Sequence, residues 1–405
     1  MKFHSLILIG AALAAAVSCG KDVVVENETD MPVDFSSYQS RSTTKADAGG
    51  FADASFLPDG SSFGVFAFFH AGTTSTPGSW NTGGQQNHPN FMLNQKVDVT
   101  KDASDNYTYN YSPDKYWPSA GNRISFYAYY PHVEGGYYMA QGVSDGSSAP
   151  YQLDTYMDKT TDGQGSFGFD VAFEAKDQVD FMISDLCADQ NKKESILTSN
   201  AGGAAVSGTV YFKFHHVLSQ VRIGTLNVDK NNDDVTITPT AIRFSGIAVH
   251  GECSVAEDWS TKDANGLVQN TFTWSNQIGE RVGNEIKGVH VDYTGAQRDG
   301  ESDEEYALRK KQNYLLMIPQ TFDDDATITI IYDVERKENA AGEQYKYKDN
   351  EVSAKLNAAK VGGVALTAWE PNKIYNYTAT VTLEGIELSA TSADWTEGSE
   401  DLDLE

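Results

Sequence analysis

Hydrophobic and polar residues alternate over most of this chain, with the period of two that is typical of β-strands. Successive side chains of a strand point to opposite faces, so residues i and i+2 share a face. Clusters of Gly, Pro, Asn and Asp separate the alternating runs, as at 73–84 and 142–150. In the first half the apolar positions are Phe63, Val65, Ala67 and Phe69, then Tyr107, Tyr109 and Tyr111, then Ile124, Phe126, Ala128 and Tyr130. The pattern predicts a mostly β protein whose antiparallel sheets pack as sandwiches.

The alternation continues in the second half, after one change of parity near Ser219. Apolar residues take even positions from Val210 to Leu218 and odd positions at Val221 and Ile223. Such a change of the buried face within one strand predicts a β-bulge. The later runs predict a second sandwich, and their apolar positions are Val235 and Ile237, Ile242 and Phe244, Tyr314 to Ile318, and Ala326, Ile328, Ile330, Tyr332 and Val334.

Two segments of the chain do not fit the strand pattern. The Ala- and Gly-rich stretch 201–205 is typical of a flexible link between domains. Ser302 with Glu305 matches a capping box, which predicts one helix over Ser302–Lys311.

Both ends of the chain carry predicted strands. Near the N-terminus there is a β-branched run at Val23, Val24 and Val25 and a second, weaker extended stretch from Met31 to Ser40. Near the C-terminus the residues from Tyr375 to Leu383 alternate, and Gly385 then breaks the register. Alternation resumes on the opposite parity before Trp395 and an acidic tail, at Ile386, Leu388 and Ala390.

The first 18 residues have the features of an export signal. Lys2 precedes an apolar run from Leu6 to Ala14, which is too short for the roughly 20 residues that span a bilayer. Small residues then lead to Cys19, as in bacterial lipoprotein precursors whose cysteine is acylated. An ordinary secretory signal with a chance cysteine is the alternative. We expect a lipoprotein of the cell outer membrane that is exposed at the surface.

Composition limits the partners of this protein. A formal net charge of −27 over 405 residues argues against nucleic acid, because nucleic-acid binding needs clustered Lys and Arg. Besides Cys19, the chain has Cys187 and Cys253, which form either a disulfide or two buried thiols. A domain with a full core does not need the crosslink, so we expect buried thiols.

Candidate metal ligands are few. His215 and His216 are adjacent on a predicted strand and therefore face opposite sides, which favours structural roles. Asp323 to Asp325 precede a strand and predict a solvated turn, with a weak surface calcium site as the alternative. Three further residues resemble the start of a calcium loop but lack its glycine and its closing glutamate, so a hairpin turn is predicted at Asp229, Asn231 and Asp233.

Residue patterns of known enzymes are not found in the sequence. It has no nucleophile elbow, no phosphate loop and no pair of zinc-ligand motifs. We therefore expect neither catalytic residues nor a cofactor.

A proteolytic site is predicted near the N-terminus. Residues 36–50 are small and polar and include the basic residues Arg41 and Lys45. Such a segment predicts an exposed loop, and proteases cut exposed loops most readily.

Several segments together resemble the fimbrillin family, the pilins and related lipoproteins of anaerobic Gram-negative bacteria. Their order and spread cover nearly the whole chain after Cys19. The segments are 115–118 (KYWP), 123–131 (RISFYAYYP), 180–183 (DFMI), 214–223 (FHHVLSQVRI), 314–320 (YLLMIPQ) and 369–377 (WEPNKIYNY), followed by Trp395.

The resemblance implies two transthyretin-like β-sandwich domains in tandem. It also implies that an arginine-specific protease cuts between Arg41 and Ser42, which removes a strand containing Val23, Val24 and Val25. A neighbouring subunit then fills the opened groove with a strand. The residues offered as this donor strand are Ile386, Leu388 and Ala390, and pairing of that strand within its own sheet is the alternative.

The resulting division of the chain has five parts. They are the signal peptide at 1–18, the N-terminal strand and cleavage loop at 19–45, the first sandwich at 46–203, the second sandwich at 204–384, and the C-terminal strand with the acidic tail at 385–405.

The function implied by the resemblance is that of a structural or tip subunit of surface fimbriae that serve cell adhesion and biofilm formation. The expected partners are other fimbrial subunits, membrane lipid through acylated Cys19, the arginine-specific protease and a host or bacterial surface ligand. The alternative is a surface lipoprotein that does not polymerise and binds a glycan or a host ligand. Aromatic side chains carry that alternative, and the candidates for stacking on sugars are Tyr127, Tyr129, Tyr137 and Tyr138.

Overall fold

Strands dominate the computed structural model, which contains one short 3₁₀ helix, Leu356–Ala358, among the residues it describes. Those residues are 31–39, 57–70, 89–103, 106–118, 122–134, 153–154, 165–172, 178–191, 208–228, 235–262, 268–275, 285–288, 302, 314–336, 345–381 and 386–395. The predicted helix, except for Ser302, and the predicted link at 201–205 lie outside them.

The strands are numbered in chain order. In the first half they are β1 (Asp34–Gln39), β2 (Ser62–His70), β3 (Met92–Lys101), β4 (Tyr107–Asn110), β5 (Arg123–Tyr130), β6 (Leu153–Asp154), β7 (Gly165–Asp170), β8 (Met182–Ser184), β9 (Cys187–Gln190), β10 (Thr209–His216), β11 (Ser219–Val228) and β12 (Val235–Ser245). In the second half they are β13 (His250–Lys262), β14 (Val268–Ser275), β15 (Glu285–Gly288), β16 (Tyr314–Met317), β17 (Gln320–Thr321), β18 (Thr327–Arg336), β19 (Tyr345–Lys355), β20 (Lys360–Val361), β21 (Val364–Ala365), β22 (Ala368–Trp369), β23 (Lys373–Val381) and β24 (Ile386–Asp394).

The first sheet has eight strands in the order β1-β10-β8-β5-β2-β3-β4, with β9 also paired to β5. It curls until its two end strands meet, because Ser37 Oγ of β1 and Tyr109 OH of β4 are 3.1 Å apart. The predicted alternation is confirmed on the inner face, where Phe63, Val65 and Phe126 are fully buried. The core inside this curled sheet is therefore closed by β1.

The outer face of the first sheet is buried as well. Phe66, Tyr127 and Tyr129 of β2 and β5 pack there into a second core. This explains why β5 reads as an almost continuous aromatic run, since a strand covered on both faces loses its polar positions. The layer that covers this face includes β7 and β13, which belong to a separate four-stranded sheet ordered β14-β13-β7-β6.

A sandwich of two further sheets forms the C-terminal part. One is ordered β16-β11-β23-β24 and the other β15-β12-β18-β19. Ile330 of one sheet packs against Ala379 and Val381 of the other. The alternation predicted for 326–334 and 375–381 is confirmed, because alternate apolar residues of both ranges are buried between the sheets. They are Ala326, Ile328 and Ile330 in the first range and Tyr375, Tyr377, Ala379 and Val381 in the second.

The mostly β architecture is confirmed, but two strand pairs are parallel. These are β1 with β10 and β11 with β23, whereas every other pairing of the described strands is antiparallel. The predicted antiparallel sandwiches are therefore confirmed, except that β1 pairs in parallel with β10 and β11 in parallel with β23.

The predicted start of the second domain at residue 204 is wrong for one strand. Thr209–His216 hydrogen-bonds with β1 and β8, so it belongs to the first sheet. The chain leaves this sheet at Val217 and Leu218, and β11 continues in the second sandwich. The parity change near Ser219 therefore marks a passage between two sheets and not the predicted β-bulge.

The turn predictions have two different outcomes. Asp323 to Asp325 form an exposed turn before β18, as predicted. The residues at 229–234 lie outside the described part of the chain, but β11 and β12 on either side belong to different sheets. A connection between two sheets is not a hairpin, so that prediction is wrong.

Cys187 and Cys253 are buried and free, as predicted. Burial raises the pKa of the Cys187 and Cys253 thiols, and the neighbouring Asp185 and Glu252 carboxylates add to this. Both thiols therefore stay protonated and unreactive at neutral pH.

Candidate functional site

The most distinctive site in the structure is the place that β1 occupies. Asp34–Gln39 runs parallel to β10, with Asp34 opposite Thr209 and Gln39 opposite Phe214. β10 is the only strand that hydrogen-bonds to β1 in the described residues. β1 is therefore an edge strand, and its loss would leave the outer backbone edge of β10 without a partner.

β1 contributes two side chains to the core. Val33, just before the strand, is 0% exposed and Phe35 is 4% exposed. The Phe35 ring centroid lies 5.2 Å from Tyr111, 6.0 Å from Phe126 and 5.5 Å from Phe212. Asp34, which lies between them, is exposed, so Val33 and Phe35 share the inward face of the extended backbone.

We use the name β1 groove for the trough that receives these side chains, lined by Tyr109, Tyr111, Trp117, Phe126 and Phe212. All five residues are aromatic. The rings of Tyr111, Phe126 and Phe212 pack against Phe35 of β1. The Trp117 ring packs against Phe126, and the Tyr109 hydroxyl contacts Ser37 of β1. Without β1, the inner core would open to water along this trough. A strand with small or apolar residues at alternate positions could fill it.

The beginning of β1 is held by hydrogen bonds from the segment 111–117. Val33 N donates to Lys115 O at 2.8 Å, and Trp117 N donates to Met31 O at 3.0 Å. The Tyr111 hydroxyl donates to Val33 O at 2.7 Å. Nearer the end of β1, Ser37 Oγ lies 3.1 Å from the Tyr109 hydroxyl, and pairing with β10 continues to Gln39.

Gly208 completes this fastening. Its carbonyl accepts from Asp34 N at 3.0 Å and from Trp117 Nε1 at 2.9 Å. Its φ of +92° lies in a region that side chains avoid, and an added Cβ would stand 2.8 Å from Met31 Sδ. Only glycine allows the backbone to approach the start of β1 so closely.

Two titratable groups are perturbed at this end. Burial raises the pKa of Tyr111 to about 12, and the Asp114 and Asp34 carboxylates add to the shift against the opposing effect of a backbone hydrogen bond. Burial, followed by the Asp114 charge, also raises the pKa of Asp34. The Tyr111 hydroxyl thus keeps its proton and can donate to Val33 at physiological pH.

Most of the predicted processing residues lie outside the described part of the chain. These are Cys19, Val23, Val24, Val25, Arg41 and Ser42. The described strand next to Arg41 is β1, which ends at Gln39. The sequence prediction of a removed strand at 23–25 remains a prediction. Val33 and Phe35, which are buried in the core, were not singled out from the sequence, although their spacing of two residues was a signal.

The predicted donor strand is paired within its own sheet. In β24, Ile386, Leu388 and Ala390 lie opposite Val381, Ala379 and Tyr377 of β23. The alternative that the sequence left open is therefore the arrangement in this structure. β24 is nevertheless an edge strand, since β23 is its only hydrogen-bonded partner among the described strands.

The two adjacent histidines have separate partners. His215 Nε2 lies 2.9 Å from Asp185 Oδ1, and His216 Nδ1 lies 2.8 Å from Asp180 Oδ2. Their rings face opposite sides of β10, as predicted. Within the described residues, no group of three or more His, Cys, Asp or Glu side chains is arranged to hold a metal ion.

Two of the four aromatic candidates for sugar binding are not available at the surface. Tyr127 and Tyr129 are buried in the core, and Tyr137 and Tyr138 lie outside the described residues. Among the other described tyrosines, Tyr116 is exposed by 49%. Tyr345 and Tyr347 are exposed by 43% and 59%. They are two residues apart on the edge strand β19 and therefore share a face.

Helices long and apolar enough to cross a membrane are not found in the described part of the chain.

Comparison with known proteins defines the class of this molecule. A family model described as fimbrillin-like matches residues 41–395. The chain belongs to this family, so the resemblance inferred from the sequence is confirmed.

Individual relatives agree with this assignment. The fimbrium subunit Fim1C of Phocaeicola vulgatus is 27% identical over 252 residues, which are 60% of this chain. The match spans 57% of that relative, a little over half of its length. A crystal structure of a fimbrial protein from Bacteroides vulgatus has a TM-score of 0.51 at 20% identity, covering 91% of this chain and all of that one, which shows a shared fold.

Proposed function

We propose that this protein is a surface fimbrial subunit whose assembly depends on removal of β1 and on its replacement by a strand of a neighbouring subunit. One observation carries the proposal. β1 is an edge strand that closes an aromatic core, and it ends two residues before Arg41. A single cut after Arg41 separates this closing strand from the rest of the chain.

The physical drive for assembly follows from the β1 groove. Loss of β1 leaves aromatic side chains and the outer edge of β10 facing water. An added strand covers the apolar groove and pairs with β10 at the same time. The original partner of the groove is covalently detached, so a neighbouring subunit can take its place without competition from the same chain.

The precursor in this proposal is a lipoprotein of the outer membrane. Acylation of Cys19 holds it at the cell surface through lipid. An arginine-specific protease then removes the segment from Cys19 to Arg41, and with it both the lipid anchor and β1. One cut thus frees the subunit from the membrane and opens its groove. The fimbriae serve cell adhesion and biofilm formation.

The donor strand in this proposal is β24, with Ile386, Leu388 and Ala390 entering the groove of the next subunit. The strand must first leave its own sheet. Ile386 and Leu388 are only half-buried there, so departure exposes less apolar surface than the filled groove covers. The partners of the cleaved subunit are other fimbrial subunits. The assembled fibre then binds a host or bacterial surface ligand.

The test compares Arg41→Ala and Arg41→Lys with the wild-type protein on cells. Both variants should stay folded and lipidated, should retain β1 and should give no ladder of polymers in a denaturing gel without boiling. Arg41→Lys keeps the positive charge, so it separates charge from recognition by an arginine-specific protease. Normal ladders from both variants, with cleavage after Lys45 excluded by mass spectrometry, would contradict the proposal.

A second candidate function is glycan binding by a surface lipoprotein that does not polymerise. Exposure of Tyr345 and Tyr347 on one face of β19 favours it, because adjacent aromatic rings can stack on sugars. Binding of the wild-type protein to a glycan array should then be lost in the Tyr345→Ala/Tyr347→Ala double variant. If the Lys346→Ala control binds as well as the wild type, the binding site is the pair of tyrosine rings. If the double variant also binds as well as the wild type, this candidate function is ruled out.

A further inference from the structure

Strand β10 contacts β1 and also the residue directly after β24, the two strands that the proposed assembly moves. Its residues from Thr209 to Phe214 pair with β1. Two residues beyond Phe214, the His216 ring stacks on the indole of Trp395, with centroids 3.9 Å apart and an angle of 6° between the planes. Trp395 directly follows β24.

The stack is the most enclosed contact at this end of the C-terminal strand. His216 is 8% exposed and Trp395 is 7% exposed, whereas most residues of β24 are exposed or half-buried. The Asp180 carboxylate lies beside the same ring, with Oδ2 2.8 Å from His216 Nδ1. Trp395 N donates to Asn372 O at 2.9 Å, which fixes the backbone beside the ring.

A strand that leaves its sheet from this end must first withdraw the indole from this place. β24 has β23 as its one strand partner among the described residues, and Ala390 is its only buried side chain. The pairing with β23 can open one residue at a time from an end, but the indole must leave as a whole. The ring contact therefore controls opening from the Trp395 end.

The stack of His216 on Trp395 is linked to β1, because His216 belongs to β10 and β10 pairs with β1. While β1 is present, β10 lies between β1 and β8. Without β1, β10 becomes an edge strand whose remaining pairs are Phe214, His215 and His216 with Ser184, Ile183 and Met182. Edge strands open more easily than strands paired on both sides.

We propose that His216 is a positioning residue that holds the C-terminal strand in its own sheet through Trp395, and that loss of β1 weakens this hold. The order of events then follows from the fold: the groove opens first, and the C-terminal strand is released second. A subunit that still has β1 keeps its own donor strand docked. This inference rests on the proposed function, since it supplies the control of that assembly.

The first test measures hydrogen–deuterium exchange of the amides at 386–395 in the uncleaved chain. We expect His216→Ala to speed exchange there at least ~10-fold, while β2 and β5 keep their protection. His215→Ala is the matched control, because His215 lies on the same strand and also pairs with a carboxylate but points away from Trp395. His216→Phe restores a ring and should recover most of the protection.

The second test measures the coupling to β1 in the same uncleaved chain. Phe35→Ala should speed exchange at 386–395, and it should add little in the His216→Ala background, because both changes act through one contact. Val97→Ala is the control, since Val97 is buried in the same core on β3. The inference is overturned if Phe35→Ala behaves like Val97→Ala, or if His216→Ala and His215→Ala have equal effects.

These results do not depend on whether fimbriae form. If His216→Ala has its local effect but wild-type fimbriae retain β1, the hold on the C-terminal strand stands and the proposed assembly fails. If fimbriae start at Ser42 but exchange at 386–395 is unchanged by His216→Ala, the assembly stands and the role of His216 fails.

Discussion

The two edge strands β1 and β24 differ in what they contribute to the fold. β1 is short, parallel to its partner, and places Phe35 in an aromatic core. β24 is longer, antiparallel to β23 and fully in register with it, and its Ile386 and Leu388 are half-buried. The first strand thus supplies core volume, whereas the second supplies mainly backbone hydrogen bonds.

This difference shows why the two strands suit opposite roles. Removing β1 leaves a defect that must be refilled, because aromatic core surface faces water. Moving β24 leaves a sheet edge but a smaller apolar defect. In the proposed assembly, filling the β1 groove of one subunit therefore covers more apolar surface than moving β24 of the next subunit exposes.

The largest expected loss of stability comes from removing the Phe35 side chain from the β1 groove while the backbone of β1 stays in place. Phe35→Ala should lower the free energy of unfolding by about 3–5 kcal/mol, since it creates a cavity among three rings. Leu388→Ala on β24 should cost only about 1 kcal/mol, because that side chain is half-buried. Urea unfolding measures both values, and similar losses would remove the distinction between the two strands.

A smaller effect is expected from the fastening of β1. Gly208→Ala combines a strained backbone with a Cβ that meets Met31, so it should cost about 2–3 kcal/mol. Gly363→Ala is the matched control: its φ is +87° and nothing lies within 4 Å of an added Cβ, so about 1 kcal/mol is expected. Thermal and urea unfolding of both variants would show whether close approach to Met31 matters beyond strain.

The smallest effect concerns pH. Tyr111→Phe should cost about 1 kcal/mol at neutral pH, because the hydrogen bond to Val33 O is lost. The pKa of Tyr111 rises from 10.0 in the unfolded chain to about 12, so its proton is bound more tightly in the native state. Its stabilising effect is complete below pH 10 and is lost as the pH rises towards 12.

The measurement for this prediction is the difference in unfolding free energy between the wild type and Tyr111→Phe across that alkaline range. The difference should shrink as the pH rises, because ionised Tyr111 can no longer donate. The contributions of the other tyrosines are the same in both proteins, so they cancel in this difference. A difference in unfolding free energy that stays constant to pH 12 would show that the hydrogen bond from the Tyr111 hydroxyl does not stabilise β1.

Much of the fold could be predicted because its signals are local. Alternation placed Phe63, Phe126 and Tyr377 on buried faces, since a half-covered strand repeats every two residues. The passage at Val217 and Leu218 was misread as a bulge, because a parity change looks the same whether the chain bulges or enters another sheet. Only pairing distinguishes the two cases, and pairing is not local.

The site was harder to predict than the fold. β1 pairs with residues about 175 positions further along the chain, as the match of Asp34 with Thr209 shows. Gly208 and Trp117 fasten that strand, yet neither lies near it in sequence. Arg41 could be proposed as a cleavage residue because an exposed polar loop has a recognisable local composition. The sequence alone offered no reason to rank β1 above Val23 to Val25 as the strand that such a cut would remove.

The most direct test of the central claim is mass spectrometry of subunits recovered from fimbriae on intact cells. The account predicts an N-terminus at Ser42 and no peptide that contains Phe35. Fimbriae whose subunits begin at acylated Cys19 and retain Phe35 would contradict the claim that β1 is removed for assembly.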